Sequence, residues 1–285
     1  MNSNKVPLRN LGKDRRAVSP AISTIILTGS IVVLLLATIV FANDFLNRRM
    51  AENEISTMKQ FMQTAGLQID DVAWIIGRTQ TIRYASKFGE VNFESLALNY
   101  TVYVNKGGGY AYFANYCTGV LLYNMPVSKY SLGDAYHENI FPLDRSFLQT
   151  GTSAPVSHIF VVEKLQMNDG SFIRVVVAPT IRMLNSTIST EGEEDNHFKF
   201  YLPILFPGTH PRRSQSVTLT GKNVPFRIED GVNAVRINVS FPKASSGFDN
   251  TFFNFEATVE EVDVPDGSVV VFYAGEVIVT LGLHA

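Results

Sequence analysis

The side chains that could carry out chemistry are few, and their spacing matches no common catalytic pattern. The sequence contains no HExxH pair, no Gly-x-Ser-x-Gly elbow and no P-loop. Its histidines lack the close spacing of metal ligands; they are His137, His158, His197, His210 and His284. We therefore predict that the chain is not an enzyme and needs no cofactor or metal. A hydrolase site assembled from distant loops is left as a third alternative.

One acidic cluster is the strongest candidate for a cation site. The segment Glu191–Asp195 reads EGEED, and Ca²⁺ prefers several carboxylate ligands of this kind. The cluster lacks the spacing of an EF-hand. A solvated loop is therefore the favoured interpretation, with calcium binding as the alternative.

Two residue types could be modified covalently. Three N-x-[ST] sequons make Asn99, Asn185 and Asn238 candidate N-glycosylation sites if the chain is exported. Cys117 is the single cysteine, so no intrachain disulfide can form. A buried thiol is the favoured interpretation of Cys117, and a bridge to another chain is the alternative.

The charges near the N-terminus predict a membrane-spanning helix. From Ala17 through Asn43 the chain has no charged side chain, a run longer than the ~20 apolar residues that a helix needs to cross a bilayer. The basic residues that precede it are Lys5, Arg9, Lys13, Arg15 and Arg16. Because such residues stay in the cytoplasm, we expect residues 45–285 to lie outside the cell. The net charge of −2 provides no basic face for nucleic acid.

The residues around the start of this run resemble a known signal. Lys13 to Ile26 reads KDRRAVSPAISTII, which is similar to the class III signal of archaeal type IV pilins. The resemblance implies that a prepilin-type peptidase cuts between Ala17 and Val18. The charged leader residues would be lost, among them Lys13, Arg15 and Arg16. It also implies that the processed helix packs with copies of itself or with other pilins. Bacterial members carry a Glu where this chain has Ile22, so the resemblance is to the archaeal ones.

Small side chains in the first half of the apolar run predict a helix-packing face. Thr24, Thr28 and Gly29 lie close together on a helix, and in lipid a close approach of two helices needs small residues. The alternative is that the hydroxyl groups bond to carbonyls of their own helix, which requires no partner.

The pattern after the apolar run predicts that the helix continues as an amphipathic stem. Apolar residues recur at alternating spacings of four and three, which is typical of one buried seam. The seam consists of Ala51, Ile55, Met58, Met62, Ala65, Ile69, Val72 and Ile76. Gln68 is expected on the solvent face, and Gly77 is expected to end the helix.

From about Thr81 the sequence reads as short strands separated by turns. Two hairpins are predicted, one across Gly107–Gly109 and one across Asn168–Gly170. Further strands are expected at 232–241, 252–262 and 269–281, and the last two should be joined by a turn at Asp266-Gly267. Such spacing is typical of a β-sandwich or a rolled sheet.

The predicted fold class is therefore α+β, with a long N-terminal helix followed by a β-rich extracellular domain. We expect a cytoplasmic leader at 1–17, a membrane or filament-core helix at 18–43, a stem at 44–80 and a head at 81–285. The predicted function is that of an archaeal pilin-like structural subunit of a surface filament, with a minor or adhesive role. The alternative is an uncleaved, signal-anchored binding module of the cell envelope.

Overall fold

The computed structural model describes residues 20–190, 193–209 and 215–282. The chain divides into two compact units, Met1–Arg49 and Met50–Ala285. Helix α1, Pro20–Ala73, begins in the first unit and ends in the second. The predicted α+β class is confirmed, since this one long helix is followed by a large β-rich domain.

The β-rich domain contains a mixed sheet of 12 strands. The strands are β1 Thr79–Arg83, β2 Glu90–Asn105, β3 Tyr110–Pro126, β4 Tyr136–Phe141, β5 Leu148–Thr150, β6 Ser157–Met167, β7 Gly170–Pro179, β8 Ile181–Thr190, β9 Glu193–Pro207, β10 Ser216–Asn223, β11 Phe226–Ser240 and β12 Val259–Leu281. A 3-10 turn, Ala244–Ser246, and a short helix α2, Asn250–Phe253, precede β12.

The strands pair mainly in antiparallel fashion. Their order is β4-β6-β7-β3-β2-β11-β12-β9-β8-β5, and β10 joins β1 to β12. The pairs β9–β12 and β5–β8 are parallel. The sheet curls strongly, because Tyr116 of β3 stacks on Phe272 of β12 at 4.8 Å between ring centroids although two strands separate them.

Both predicted hairpins are confirmed. β2 and β3 pair from Asn105 opposite Tyr110 onward, with the three glycines in the connection. β6 and β7 close tightly, since Met167 lies opposite Gly170. Gly170 has a φ of 120°, a conformation that suits glycine in a reversal of this kind.

The C-terminal strands differ from the prediction. Residues 250–253 form α2 instead of the start of a strand, because the Asp249 carboxylate accepts a hydrogen bond from the Phe252 N–H at 3.1 Å and caps the helix. The predicted turn at Asp266-Gly267 is wrong, because β12 runs through it. β11 pairs with both halves of β12, and the four residues 264–267 form a bulge.

The helical seam is confirmed up to Val72 and wrong at its last member. The other seven seam residues are buried, whereas α1 ends at Ala73 and Ile76 is 66% exposed. The helix ends early because the backbone of residues 77–78 forms two hydrogen bonds with Gly221 of β10. Gly77 N–H donates to Gly221 O at 2.8 Å, and Gly221 N–H donates to Arg78 O at 2.9 Å, so the chain leaves the helix to enter β1.

The central strands are buried on both faces. In β3, Leu121 and Tyr123 belong to the cluster that includes the α1 seam, whereas Val120 and Leu122 belong to a second, aromatic-rich cluster. Because alternate residues of a strand point to opposite faces, such strands read as continuous apolar runs. The sheet therefore separates two hydrophobic cores.

A carboxylate on α1 organises the loop between β1 and β2. Glu54 accepts hydrogen bonds from Ser86 Oγ at 2.6 Å, Tyr123 OH at 2.5 Å and the N–H groups of residues 87–89. Burial alone would raise the pKa of Glu54, but these donors outweigh it and hold the pKa below its ordinary value. Glu54 thus attaches the helix to the sheet by polar contacts as well as by packing.

His158 lies inside the aromatic core. It is fully buried, and its ring lies 5.4 Å from that of Phe160 and 6.2 Å from that of Phe255. Neither ring nitrogen has a hydrogen-bond partner among the described residues. Burial lowers the pKa of His158 to about 4, with a further lowering by His137 and an opposing effect of Asp144. The neutral form is therefore the one that fits the folded state.

We predict that the head loses stability as the pH falls from about 6.5 toward 4. The unfolded state binds a proton at His158 in this window and the folded state does not, so protonation favours unfolding by about 3 kcal/mol. Urea unfolding at pH 7.5 and 4.5 measures the effect. The variant His158→Leu should lose most of this pH dependence. The same pH dependence in the wild type and the variant would contradict the assignment to His158.

A second prediction tests the α1 seam. Ile69 is fully buried, so Ile69→Asp should lower the free energy of unfolding by about 4 kcal/mol because the carboxylate is buried without a partner. Gln68 is half-buried rather than on the solvent face, and its Oε1 is enclosed. The matched control is therefore the exposed Thr64, and Thr64→Asp should change stability by less than about 0.5 kcal/mol. Equal losses of unfolding free energy in Ile69→Asp and Thr64→Asp would contradict the burial of the seam.

Candidate functional site

The first half of α1 presents an apolar surface that none of the residues described by the structure covers. Every residue from Ile22 to Met50 is exposed, including Ile25, Leu34 and Phe41. Within the described residues, α1 is the helix that is long and apolar enough to cross a membrane. A surface of this size needs a cover of lipid or protein, because exposed apolar patches on soluble proteins are small.

The length of the apolar part matches a bilayer. From Ile22 to Ala42 the helix rises by roughly 30 Å at ~1.5 Å per residue, which equals the thickness of the hydrocarbon core. Charged residues begin at Asp44, and the guanidinium of Arg49 lies 5.5 Å from the centre of the Phe45 ring. Arginine and aromatic side chains of this kind suit the interface between lipid and water.

Hydroxyl groups inside the apolar part bond to the helix backbone. Ser30 Oγ donates to Leu27 O at 2.9 Å, and Thr38 Oγ1 donates to Leu34 O at 2.7 Å. These groups therefore need no partner helix to be tolerated in lipid.

The predicted packing residues lie on this uncovered surface. Thr24 and Thr28 are exposed, and a Cβ added at Gly29 would meet no atom within 4 Å. Space at Gly29 is thus available to a neighbouring helix. The predicted cleavage site, Ala17 and Val18, lies outside the described residues, as do the leader residues Lys13, Arg15 and Arg16.

The three sequons differ in accessibility. Asn185 is exposed on β8, whereas Asn99 and Asn238 lie within neighbouring strands β2 and β11. Asn99 lies opposite Ser240 and donates from Nδ2 to its Oγ at 3.2 Å, and the Oδ1 of Asn238 is buried. Asn185 is therefore the sequon whose side chain is open to a modifying enzyme.

Two candidates from the sequence remain, Cys117 and the acidic cluster at 191–195, and the structure describes the cluster only in part. Cys117 is half-buried, its Sγ–H donates to Asn99 Oδ1 at 3.2 Å, and burial raises the pKa of its thiol. The acidic cluster lies partly outside the described residues, at 191 and 192, and the side chains of 193–195 are not described either. In the described part of the chain, no group of three or more His, Cys, Asp or Glu could hold a metal ion.

Charged substitutions in the apolar part should prevent stable membrane insertion. Leu35→Arg combined with Ile39→Arg places two guanidinium groups on one face, at a cost of about 6 kcal/mol near the bilayer centre. Extraction of membranes with alkaline carbonate should leave the wild type in the pellet and release the double variant.

The control for this experiment is Leu67→Arg. Leu67 is an exposed leucine of the same helix that lies in the second unit, beyond the apolar part. This variant should stay in the pellet with the wild type. Retention of the double variant would contradict the assignment of residues 22–42 as the span.

Comparison with known proteins does not assign the chain to a family. No family model, curated protein or solved structure matches it. Its own residues support a general description of its architecture, without a family. The chain combines a β-rich domain with one N-terminal helix that is long and apolar enough to span a membrane, consistent with single-pass anchoring.

Proposed function

We propose that this chain is a type IV pilin-like subunit of an archaeal cell-surface filament. The observation that carries the proposal is the exposed apolar surface at 22–42, which overlaps the end of the class III-like stretch at 13–26. A peptidase that cuts between Ala17 and Val18 would remove the basic leader and leave the apolar helix as the new N-terminus. Partners of this helix are then the membrane before assembly and other subunits after it.

The exchange of lipid for protein around the helix needs specific packing. Lipid tails are as apolar as leucine side chains, so the hydrophobic effect does not drive helices together in a bilayer. Close contact at small residues supplies dispersion energy instead. Thr24, Thr28 and Gly29 offer such a face, and the open space at Gly29 supports this role.

The β-rich domain would form the outer part of the filament. The basic residues before the span favour a cytoplasmic N-terminus and an external head. Glycosylation at Asn185 and an adhesive role of the head belong to the same proposal.

The second candidate is an uncleaved, signal-anchored binding module of the envelope. It is favoured by the hydroxyl groups of Ser30 and Thr38, which are satisfied within the helix. A helix of this kind can remain in lipid as a monomer.

Processing and assembly distinguish the two candidates. Intact mass and N-terminal sequencing of the protein from native membranes should place the mature N-terminus at Val18, and Gly29→Leu should abolish filaments recovered by shearing. The control is Ile25→Leu, which keeps the bulk of an exposed apolar residue and should assemble normally. Recovery of residues 1–17 would support the anchored module. Normal filaments from Gly29→Leu would reject the packing face.

A further inference from the structure

The connection between β11 and β12 inserts four phenylalanines into the aromatic-rich core. It covers residues 241–258, belongs to no strand, and contains the 3-10 turn and α2. Phe248, Phe252, Phe253 and Phe255 are each at most 2% exposed. We call residues 248–255 the aromatic plug. Because the plug is not part of a strand, it can move away from the core while the strands of the sheet stay paired.

Aromatic rings make the main contacts between the plug and the core. Phe252 and Phe253 meet Phe160 of β6 edge-on, with ring centroids 5.9 and 6.3 Å apart. Phe255 meets Phe147 edge-on at 5.8 Å. Movement of the plug into solvent would expose these rings to water, so apolar burial favours the closed position.

Polar contacts hold both ends of the plug. Near its start, Lys164 Nζ donates to the two carboxylate oxygens of Asp249 at 2.8 and 2.9 Å, so these two charges compensate each other. At its end, Arg145 Nε–H donates to Asn254 O at 2.8 Å, and the Glu256 N–H donates to Arg145 O at 3.1 Å. The plug is thus attached to β6 and to the connection between β4 and β5.

Two histidines lie against the plug, and the closed position favours their neutral forms. His158 is fully buried beside Phe255, and neither of its ring nitrogens has a partner among the described residues. An imidazolium at this place would bury a charge and two N–H donors without an acceptor. His137 stacks on Phe160 at 4.9 Å, and its Nε2 is buried without a partner in the described part of the chain.

One hydrogen bond couples His137 to the plug directly. Asn254 Nδ2 lies 3.3 Å from His137 Nδ1 and donates to it when the imidazole is neutral. The imidazolium carries a hydrogen on each ring nitrogen, so it cannot accept this bond. Protonation of His137 therefore removes one of the contacts that hold the end of the plug.

The charged groups that face the two histidines do not offset the effect of burial. Burial lowers the pKa of His158 most, the neighbouring His137 lowers it further, and Asp144 opposes them. Burial also lowers the pKa of His137. A backbone hydrogen bond with Phe252 opposes this effect, and Arg145 lowers the pKa of His137 further. Both rings are therefore neutral in the closed position at pH 7.

We propose that the aromatic plug is an acid-sensitive closure of the head, closed at neutral pH and released when the two histidines bind protons. In the open state both rings meet water, so their charged forms are no longer penalised by burial. Opening exposes the apolar surface around Phe160, while the 12-stranded sheet keeps its pairing. This local movement differs from the unfolding of the whole head considered above. It does not depend on processing or on assembly into a filament.

Acid favours the open state because the histidines take up protons there. In the open state His158 binds a proton below a pH of about 6.5, whereas in the closed state it does so only near pH 4. The equilibrium constant for opening should therefore rise as the pH falls through this window. For His158 alone, the rise between pH 7.5 and pH 5.0 should be roughly 30-fold.

Hydrogen exchange of the full-length protein in lipid nanodiscs measures this opening. The N–H groups of Phe252, Phe253 and Asn254 donate hydrogen bonds within the closed plug, and a helix as short as α2 does not persist in water without packing. Their protection factors, which correct for the intrinsic effect of pH on exchange, should fall roughly 30-fold between pH 7.5 and pH 5.0.

Urea distinguishes a local opening from unfolding of the sheet. The plug amides should not respond to about 1 M urea, because a local opening exposes little surface. The amides of residues 98–104 in β2 should be better protected than those of the plug. They should lose protection in the same urea, since they exchange through unfolding of the sheet.

Two variants and a matched control separate the plug from the rest of the head. His158→Leu should remove most of the pH response of the plug amides, because leucine binds no proton. The control His197→Leu removes a histidine of β9 that lies opposite Ser186 of β8, and it should keep the wild-type response. Lys164→Met breaks the pair with Asp249 and should lower the protection of the plug at least tenfold at pH 7.5, with the β2 amides unchanged.

Three outcomes would overturn the proposal. Equal protection of the wild-type plug amides at pH 7.5 and pH 5.0 would exclude an acid-sensitive closure. The same pH response in His158→Leu and the wild type would exclude His158 as the group that binds the proton. Equal losses of protection in the plug and in β2, caused by urea or by Lys164→Met, would show that the plug opens only together with the sheet.

Discussion

The packing of residues 51–72 of α1 on one face of the β-sheet is the contact on which the head depends. The helix covers the face formed by residues such as Leu121, Tyr123 and Val175, which would otherwise lie open to water. Burial of this apolar area stabilises the fold by roughly 25 cal/mol for each Å². Gly66 permits the close approach, because a Cβ there would lie 2.7 Å from Ser157 Oγ. The second half of α1 is therefore part of the core of the head, whereas none of the described residues covers the first half.

Polar contacts determine where along the sheet the helix lies. Apolar packing has little directionality, so a seam alone tolerates a shift along its axis. Glu54 accepts hydrogen bonds from the 86–89 segment, Lys59 donates to Glu138 at 2.6 Å, and Asp70 pairs with Arg182. Each of these contacts has a short range and a required geometry. Together they hold the helix in one register, and that register decides which part of the sheet stays uncovered.

The first and the last part of α1 have different surroundings. At its start, α1 offers an apolar surface suited to lipid or to other helices. At its end, Trp74 packs edge-on against Tyr201, which stacks on Tyr273. One helix therefore carries two kinds of surface along its length.

The sequence by itself determined the features that arise from local periodicity. The charge-free run to Asn43, the seam to Val72 and both hairpins could be predicted, because helix and strand patterns depend on neighbours in the chain. The tertiary structure decided the end of α1 at Ala73 and the unbroken course of β12, since both result from pairing with distant strands. The row of aromatic rings formed by Trp74, Tyr201, Tyr273 and Phe226 could not be predicted either. Its residues are far apart in sequence, and only the register of three paired strands and the stop of the helix bring them together.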